Sequence, residues 1–159
     1  MLMLTGEYEH TIDEKNRLFI SNKLRSQIDC EKYGSNFYLA MGTNGIYCLY
    51  PDKYFQQIAL AGAPGMAAPD EAVAFERLSF ALASKVELDR QGRLLLGEKL
   101  RKRVKLASNL TLVGVRDHIE LWNSQDWEKY LSDNLTQYQS QVMQARQAVL
   151  QKQSRDMDI

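Results

Sequence analysis

The chain has 159 residues, and its twenty Lys or Arg are balanced by twenty Asp or Glu, so the formal net charge is zero. That length allows one or two small domains with a real core, and the charge balance argues against a general polycation while leaving local patches open. Hydrophobic residues at 45% and charged residues at 25% are ordinary for a soluble globular chain. No apolar run approaches the ~20 residues that span a bilayer, and residues 1–6 lack the basic start and long apolar stretch of a signal peptide. Two cysteines, Cys30 and Cys48, are too few for a disulfide framework and lack metal-ligand spacing. They are expected to be buried thiols in a reducing cytoplasm, and neither a metal nor another cofactor is expected.

In chain order, residues 7–12 alternate, with Tyr8, His10 and Ile12 on one face, which predicts a half-buried strand. His10 is expected to be buried and hydrogen-bonded rather than a ligand or base. A turn from Asp13 to Arg17 leads to a second short strand, Leu18, Phe19 and Ile20. Ser21 or Asn22 can then cap a helix running to about Ile28. Residues 37–41 predict a strand, 42–45 a turn with two positions suited to positive φ, and 46–50 its antiparallel partner. Pro51 fits a first helical turn, with Asp52 beside the positive helix end, and Tyr54, Phe55 and Ile58 mark a short amphipathic helix.

Residues 59–70 hold two of the three prolines and few charges, so a boundary is expected there. A helix over about 70–79 leads to strands at 85–88 and 94–96, a helix at 98–104, and a hairpin of 110–115 with 118–122. His118 is expected to serve local packing. Asn123 is a good N-cap for the last segment, with Asp126 in capping-box position. From there Leu131, Leu135, Tyr138, Val142, Ala145 and Val149 recur at heptad spacing. That row fits either one helix on its own domain or a seam with another subunit. The tail from Ser154 is expected to fray.

The strongest internal signal is a repeat. The segment 13–25 aligns without a gap to 89–101, and six of thirteen positions are identical: Asp13/Asp89, Arg17/Arg93, Leu18/Leu94, Lys23/Lys99, Leu24/Leu100 and Arg25/Arg101. In each copy an Asp opens a turn, and a residue able to adopt positive φ follows three positions later, Asn16 or Gly92. An Arg, a short apolar run and a basic helix come next. A single Asp–Arg pair four apart reads as a structural pair, the Asp capping the turn and the Arg bridging to it. Two copies, each followed by Lys-Leu-Arg, favour a repeated basic surface. Residues 85–105 add eight Lys or Arg against three acids, the electrostatic footprint of a phosphate-binding surface.

The run Gly6-Glu7-Tyr8-Glu9-His10-Thr11-Ile12-Asp13 leading to Arg17-Leu18, the second run Leu88-Asp89-Arg90-Gln91-Gly92-Arg93-Leu94, and Ile119-Glu120-Leu121-Trp122 before Trp127-Glu128 together resemble the MraZ family over about residues 1–131. The resemblance implies an α+β chain of tandem AbrB-like (SpoVT/AbrB-type) repeats, swapped-hairpin β-barrels forming an intrachain pseudo-dimer, with peripheral helices and a long C-terminal helix. On this reading 7–58 is the first repeat, 59–81 a linker and connecting helix, 82–131 the second repeat and 132–159 a helical extension. The resemblance also implies ring-shaped homo-oligomers and transcriptional regulation of an operon for cell division and cell-wall synthesis, through short repeated promoter sequences. In the family the Asp-x-x-x-Arg motifs form the DNA-binding surface, and they map onto Asp13 with Arg17 and Asp89 with Arg93. Charge adds Lys15, Lys23, Arg25, Arg90, Lys99 and Arg101 as phosphate contacts. The chain departs from the family pattern at Asn16, where Gly is usual, at Ser21 and Gly97, where Pro is common, and in its long tail.

The expectation is therefore a non-catalytic, cytoplasmic and nucleoid-associated regulator whose partner is double-stranded DNA. Arg17 and Arg93 would read bases, because the Arg fork matches guanine O6 and N7. Asp13 and Asp89 would orient those forks or cap the turns. The alternative is a ring-forming interaction protein whose basic tips bind an acidic partner. An enzyme ranks last, since no nucleophile–base, metal or phosphate-loop spacing appears.

Overall fold

The computed structural model describes residues 1–61 and 70–157. The chain is a mixed α+β structure that falls into two compact units, 1–124 and 125–159. The expected boundary at 59–70 lies mostly outside the described residues.

Among the described residues the first unit carries eight strands and five α-helices. In chain order they are β1 (Glu7–Thr11), β2 (Arg17–Phe19), α1 (Asn22–Arg25), α2 (Cys30–Tyr33), β3 (Phe37–Met41), β4 (Tyr47–Pro51), α3 (Asp52–Ala61), α4 (Asp70–Ala81), β5 (Ser84–Val86), β6 (Arg93–Leu95), α5 (Glu98–Val104), β7 (Asn109–Val115) and β8 (His118–Asn123). The sixth helix, α6, runs from Ser124 to Met157. Alternation places β1 as expected: Glu7, Glu9 and Thr11 are exposed, Tyr8 and His10 half-buried, and Ile12 beyond them buried.

All strand pairs are antiparallel. Six strands form one sheet in the order β1-β7-β8-β4-β3-β5, and β2 and β6 form a separate two-stranded ribbon. The order reads the same when the two copies of the repeat are exchanged. The hairpins β3–β4 and β7–β8 are local, but the outer strands cross over. β1 of the first copy pairs with β7 of the second, and β5 of the second pairs with β3 of the first. Equivalent strands meet in the two remaining pairings, β4 with β8 and β2 with β6. One core serves both copies: Leu18, Ile20, Leu24, Leu39 and Leu49 lie with Leu94, Leu96, Leu110, Leu112 and Ile119, each at most 1% exposed. Full burial of such side chains stabilises by roughly 1.5–3 kcal/mol each, which ties the two copies into one cooperative body.

Several local expectations need correction. Pro51 closes β4 opposite Phe37 instead of entering a helix, and α3 starts at Asp52. α1 ends at Arg25, short of Ile28; Ser21 does cap it, accepting from the Lys23 amide at 3.2 Å. Asn123 is the last residue of β8, not a helix cap. Its amide is spent on the loop before β7, accepting from the Ala107 N–H at 2.7 Å and donating to the Lys105 carbonyl at 3.0 Å. Cys48 is buried, but Cys30 is exposed, because the single turn of α2 buries Tyr33 instead. His10 packs edge-on against Phe19, yet its buried Nε2 has no hydrogen-bond partner among the described residues. Burial lowers its pKa, so the neutral ring is favoured. Among the described residues no helix is long and apolar enough to cross a membrane.

Candidate functional site

The two Asp-x-x-x-Arg segments fold into the same turn. In the first, the Asp13 carbonyl accepts from the Asn16 N–H at 3.0 Å and the Asp13 N–H donates to the Arg17 carbonyl at 3.0 Å. Asp13 Oδ1 accepts from the backbone N–H of Lys15 and of Arg17, each at 2.9 Å, and Oδ2 accepts from Arg17 Nε at 2.7 Å. In the second, the carbonyl of Asp89 accepts from Gly92 at 3.0 Å, Oδ1 accepts from Gln91 and Arg93 at 2.9 and 3.0 Å, and Oδ2 accepts from Arg93 Nε at 2.9 Å. Asn16 and Gly92 hold φ of 60° and 79°, the left-handed values that the spacing predicts.

Each Asp therefore does two jobs at once. It closes the turn through backbone amides and fixes an Arg through Nε. The backbone N–H of Arg17, foremost, and then the Arg17 side chain and the backbone N–H of Lys15 hold the Asp13 carboxyl below the usual carboxylate range, against the opposing effect of desolvation. Asp89 is lowered in the same way, with the Arg93 amide foremost. The pairing uses only Nε, so the terminal Nη groups of Arg17 and Arg93 have no hydrogen-bond partner among the described residues. These forks are held at one end and available at the other.

The β2–β6 ribbon relates the two turns. Leu18 lies opposite Leu94, with Arg17 opposite Leu95 and Phe19 opposite Arg93. The Ile20 N–H donates to the Gly92 carbonyl at 2.9 Å, and the Leu96 N–H donates to the Asn16 carbonyl at 2.8 Å. Each copy thus clamps the turn of the other.

The Lys-Leu-Arg triplets that follow divide into three roles. Lys23 and Lys99 are exposed, Leu24 is fully buried with Leu100 half-buried, and Arg25 and Arg101 are half-buried. Arg101 Nη1 donates to Asn16 Oδ1 at 2.7 Å and Nη2 reaches the Leu106 carbonyl at 3.4 Å. Arg25 donates from Nε to the Ile20 carbonyl at 3.0 Å, bonds Asn22 Oδ1, and lies 5.7 Å over the Phe19 ring. A Cβ built on Gly92 would come within 2.7 Å of Arg25 Nη2. Arg101 is thus committed to the turn of the opposite copy and Arg25 to hydrogen bonds within its own, lying against Gly92 of the other turn, whereas Lys15, Lys23, Arg90 and Lys99 are exposed. Lys102 and Lys105, counted in the basic run but not singled out as contacts, line with Asn16, Glu98, Arg101 and Leu106 a basic groove of about 590 Å³ beside the first turn. Their place in the basic run 85–105 was the available signal.

A second cluster lies away from the turns. His118 Nδ1 sits 2.8 Å from Asp117 Oδ1, and the other Asp117 oxygen accepts from Tyr54 Oη at 2.8 Å. His118 is raised to about 10, chiefly by its hydrogen bond with Cys48 and then by Glu120, against the effect of burial. Burial pushes Tyr50, which packs on the His118 ring, up to about 12.

Comparison with known proteins agrees with the repeat. A family profile described as MraZ protein, antitoxin-like, matches twice, over residues 3–75 and 79–151. The two matches begin at the same distance before Asp13 and Asp89. The transcriptional regulator MraZ of Moorella thermoacetica is 36% identical over 140 residues, covering 87% of this chain and 93% of that protein. The protein of the same name from Pediococcus pentosaceus is 35% identical over 133 residues, covering 82% and 88%. That of Finegoldia magna is 32% identical over 136 residues, covering 86% and 92%. Two profile matches in the register of the two turns, and relatives aligned over most of their length, place this chain in the MraZ family.

Proposed function

We propose that the protein is a non-catalytic, sequence-specific DNA-binding transcriptional regulator of the division and cell-wall operon type, acting in the cytoplasm at the nucleoid. The observation that carries this reading is the duplicated fork: two arginines, each pinned through Nε by an Asp four residues earlier, each with unpartnered Nη groups, on one β2–β6 ribbon. Arg17 and Arg93 read base edges through those groups. Asp13 and Asp89 hold the forks and do not touch DNA, since a carboxylate facing phosphate would repel it. Lys15, Lys23, Arg90 and Lys99 make the phosphate contacts that set position without reading sequence. Arg101 acts chiefly by holding the opposite turn, and Arg25 by holding the Ile20–Asn22 segment of its own copy against Gly92.

The repeats 7–58 and 82–131 form an intrachain pseudo-dimer of the swapped-hairpin AbrB-like kind. The crossed pairings β1–β7 and β3–β5 support it, as does the common core. One ribbon offers few contacts, so useful affinity requires several subunits on repeated promoter sites. A ring-shaped homo-oligomer supplies them. Apolar side chains on α4 support self-association: Phe75, Leu78 and Phe80 are 73%, 64% and 51% exposed.

The test is a fluorescence-anisotropy titration of the full chain on DNA from upstream of its own gene and on a scrambled control, at two salt concentrations. Tighter binding to the upstream DNA that persists at the higher salt is expected. Equal, salt-labile binding to both, or no binding, would overturn sequence-specific recognition and favour an interaction protein with an acidic partner.

A further inference from the structure

The Cys48, His118 and Glu120 cluster plays no part in the reading above. The register that aligns β4 with β8 builds it. Cys48 lies directly opposite Glu120 across the ladder, and His118 stands two residues before Glu120, on the same face of β8. Their donor atoms, one sulfur, one imidazole nitrogen and one carboxylate oxygen, all fall within 4.8 Å of one another. His118 Nε2 is already 3.6 Å from Glu120 Oε2. The edge of a tetrahedral site with metal–ligand bonds of 2.0–2.3 Å is about 3.3–3.7 Å, so small rotamer adjustments close the set.

The other atoms of these groups are occupied in the way metal ligands usually are. His118 Nδ1 is bonded to Asp117, which leaves Nε2 for the cluster. Glu120 Oε1 accepts from Trp122 Nε1 at 3.1 Å, which leaves Oε2. Asp117 is itself fixed by Tyr54. A carboxylate behind a histidine and a donor behind a carboxylate fix tautomer and orientation at metal centres. A thiolate, a carboxylate and a neutral imidazole would together neutralise a divalent cation, which suits a site where Cys48 is only 3% exposed.

We propose that Cys48 Sγ, His118 Nε2 and Glu120 Oε2 form a binding site for a divalent transition metal of the zinc class, with Asp117 as positioning residue and water at the fourth place. Binding releases two protons to solvent, one from the Cys48 thiol and one from His118 Nε2. Because Cys48 belongs to the first copy of the repeat and His118 and Glu120 to the second, the metal staples the two copies where β4 meets β8. The site is independent of the DNA reading.

The test uses the full chain, stripped with chelator and titrated with Co²⁺ as a spectroscopic probe, then with Zn²⁺ in competition. A thiolate-to-cobalt charge-transfer band saturating at one metal per chain, and a melting temperature raised by Zn²⁺, are expected. Cys48→Ser abolishes the band, Glu120→Gln and His118→Gln weaken binding, Asp117→Asn weakens it roughly 10–100-fold, and Cys30→Ser leaves it unchanged. No charge-transfer band, or a band lost with Cys30→Ser and kept in Glu120→Gln and His118→Gln at wild-type affinity, overturns the proposal. The latter pair keeps the test decisive should Cys48→Ser fail to fold.

Discussion

Arg101 Nη1 donates to Asn16 Oδ1 at 2.7 Å, and the two residues belong to different copies of the repeat. At the equivalent position of the other turn the amide is missing, and Arg25 lies against Gly92 where a Cβ would stand. Asn at position 16 therefore has a use. Asn tolerates φ of 60° and offers an acceptor to the Arg that reaches over from the second copy.

It follows that the two turns respond differently to the same kind of change. Asn16→Gly keeps the backbone geometry but loses the hydrogen bond to Arg101, at a cost of about 1 kcal/mol. Gly92→Ala meets both a positive φ and the Arg25 guanidinium, and costs about 1–2 kcal/mol from the backbone alone. Urea denaturation of the two variants checks this, with Gly92→Ala expected to show the larger loss. The reverse order would mean that Arg25 swings away freely and that Arg101 is the principal clamp.

Arg17→Ala and Arg93→Ala should separate stability from recognition. Each Asp–Arg pair is about one-third exposed, with side-chain exposures of 32% and 36% at the first turn. Partly exposed pairs contribute little to stability, so melting temperature should hardly move. Binding to the cognate promoter should fall roughly 10–100-fold for each Arg lost, the worth of one bidentate base contact. Lys15→Ala should weaken binding to all sequences alike and lower the salt slope by about one. Wild-type affinity in both Arg variants would end the base-reading assignment.

The turns also set an acid limit. Asp13 and Asp89 both have carboxyls lowered from 3.8 by backbone and Arg hydrogen bonds. A carboxyl depressed in the folded state binds its proton more readily when unfolded, so its contribution is fully present above the unfolded value. It is lost as pH falls through the lower folded value. These two groups should therefore leave stability flat down to about pH 5 and draw it down below about pH 4. Denaturation midpoints measured across that range test the sign. The Asp13→Asn, Asp89→Asn double variant should be less stable at neutral pH and lose less on acidification; an unchanged acid slope would assign the loss to other carboxyls.

What the sequence made legible follows from which forces are local. The turns were readable because their hydrogen bonds close within five residues, from Asp13 to Arg17 and from Asp89 to Arg93. Strand positions were readable from alternation, but alternation names a face and not a partner. Nothing in residues 7–11 alone indicates pairing with 109–115, where Thr11 Oγ1 meets Asn109 Oδ1 at 3.3 Å. Asn123 carried a good capping signal, yet tertiary partners at Lys105 and Ala107 took its amide first. Counting charge over 85–105 located the basic surface but could not tell Lys99, which is exposed, from Arg101, which turns to Asn16. The gathering of Cys48, His118 and Glu120 depends on the β4–β8 register, and no spacing along the chain encodes that.

The last helix sets the final test. α6 is 34 residues long, and its apolar positions Leu135, Tyr138 and Val149 are 54%, 59% and 56% exposed. An isolated helix gains little from such a row, because helical stability in proteins comes mostly from packing of the apolar face. If the heptad row is a seam between subunits, removing residues 132–159 should lower the oligomer mass in sedimentation while the β-sheet unit stays folded. Unchanged mass would move the contact to the exposed aromatics of α4, and Phe75→Glu with Phe80→Glu should then dissociate the assembly. Each surface predicts loss of mass from one variant and not the other, so the pair of measurements separates them. Whichever variant dissociates should also lose promoter affinity while retaining its two arginine forks, since a single ribbon engages only one repeat of the site.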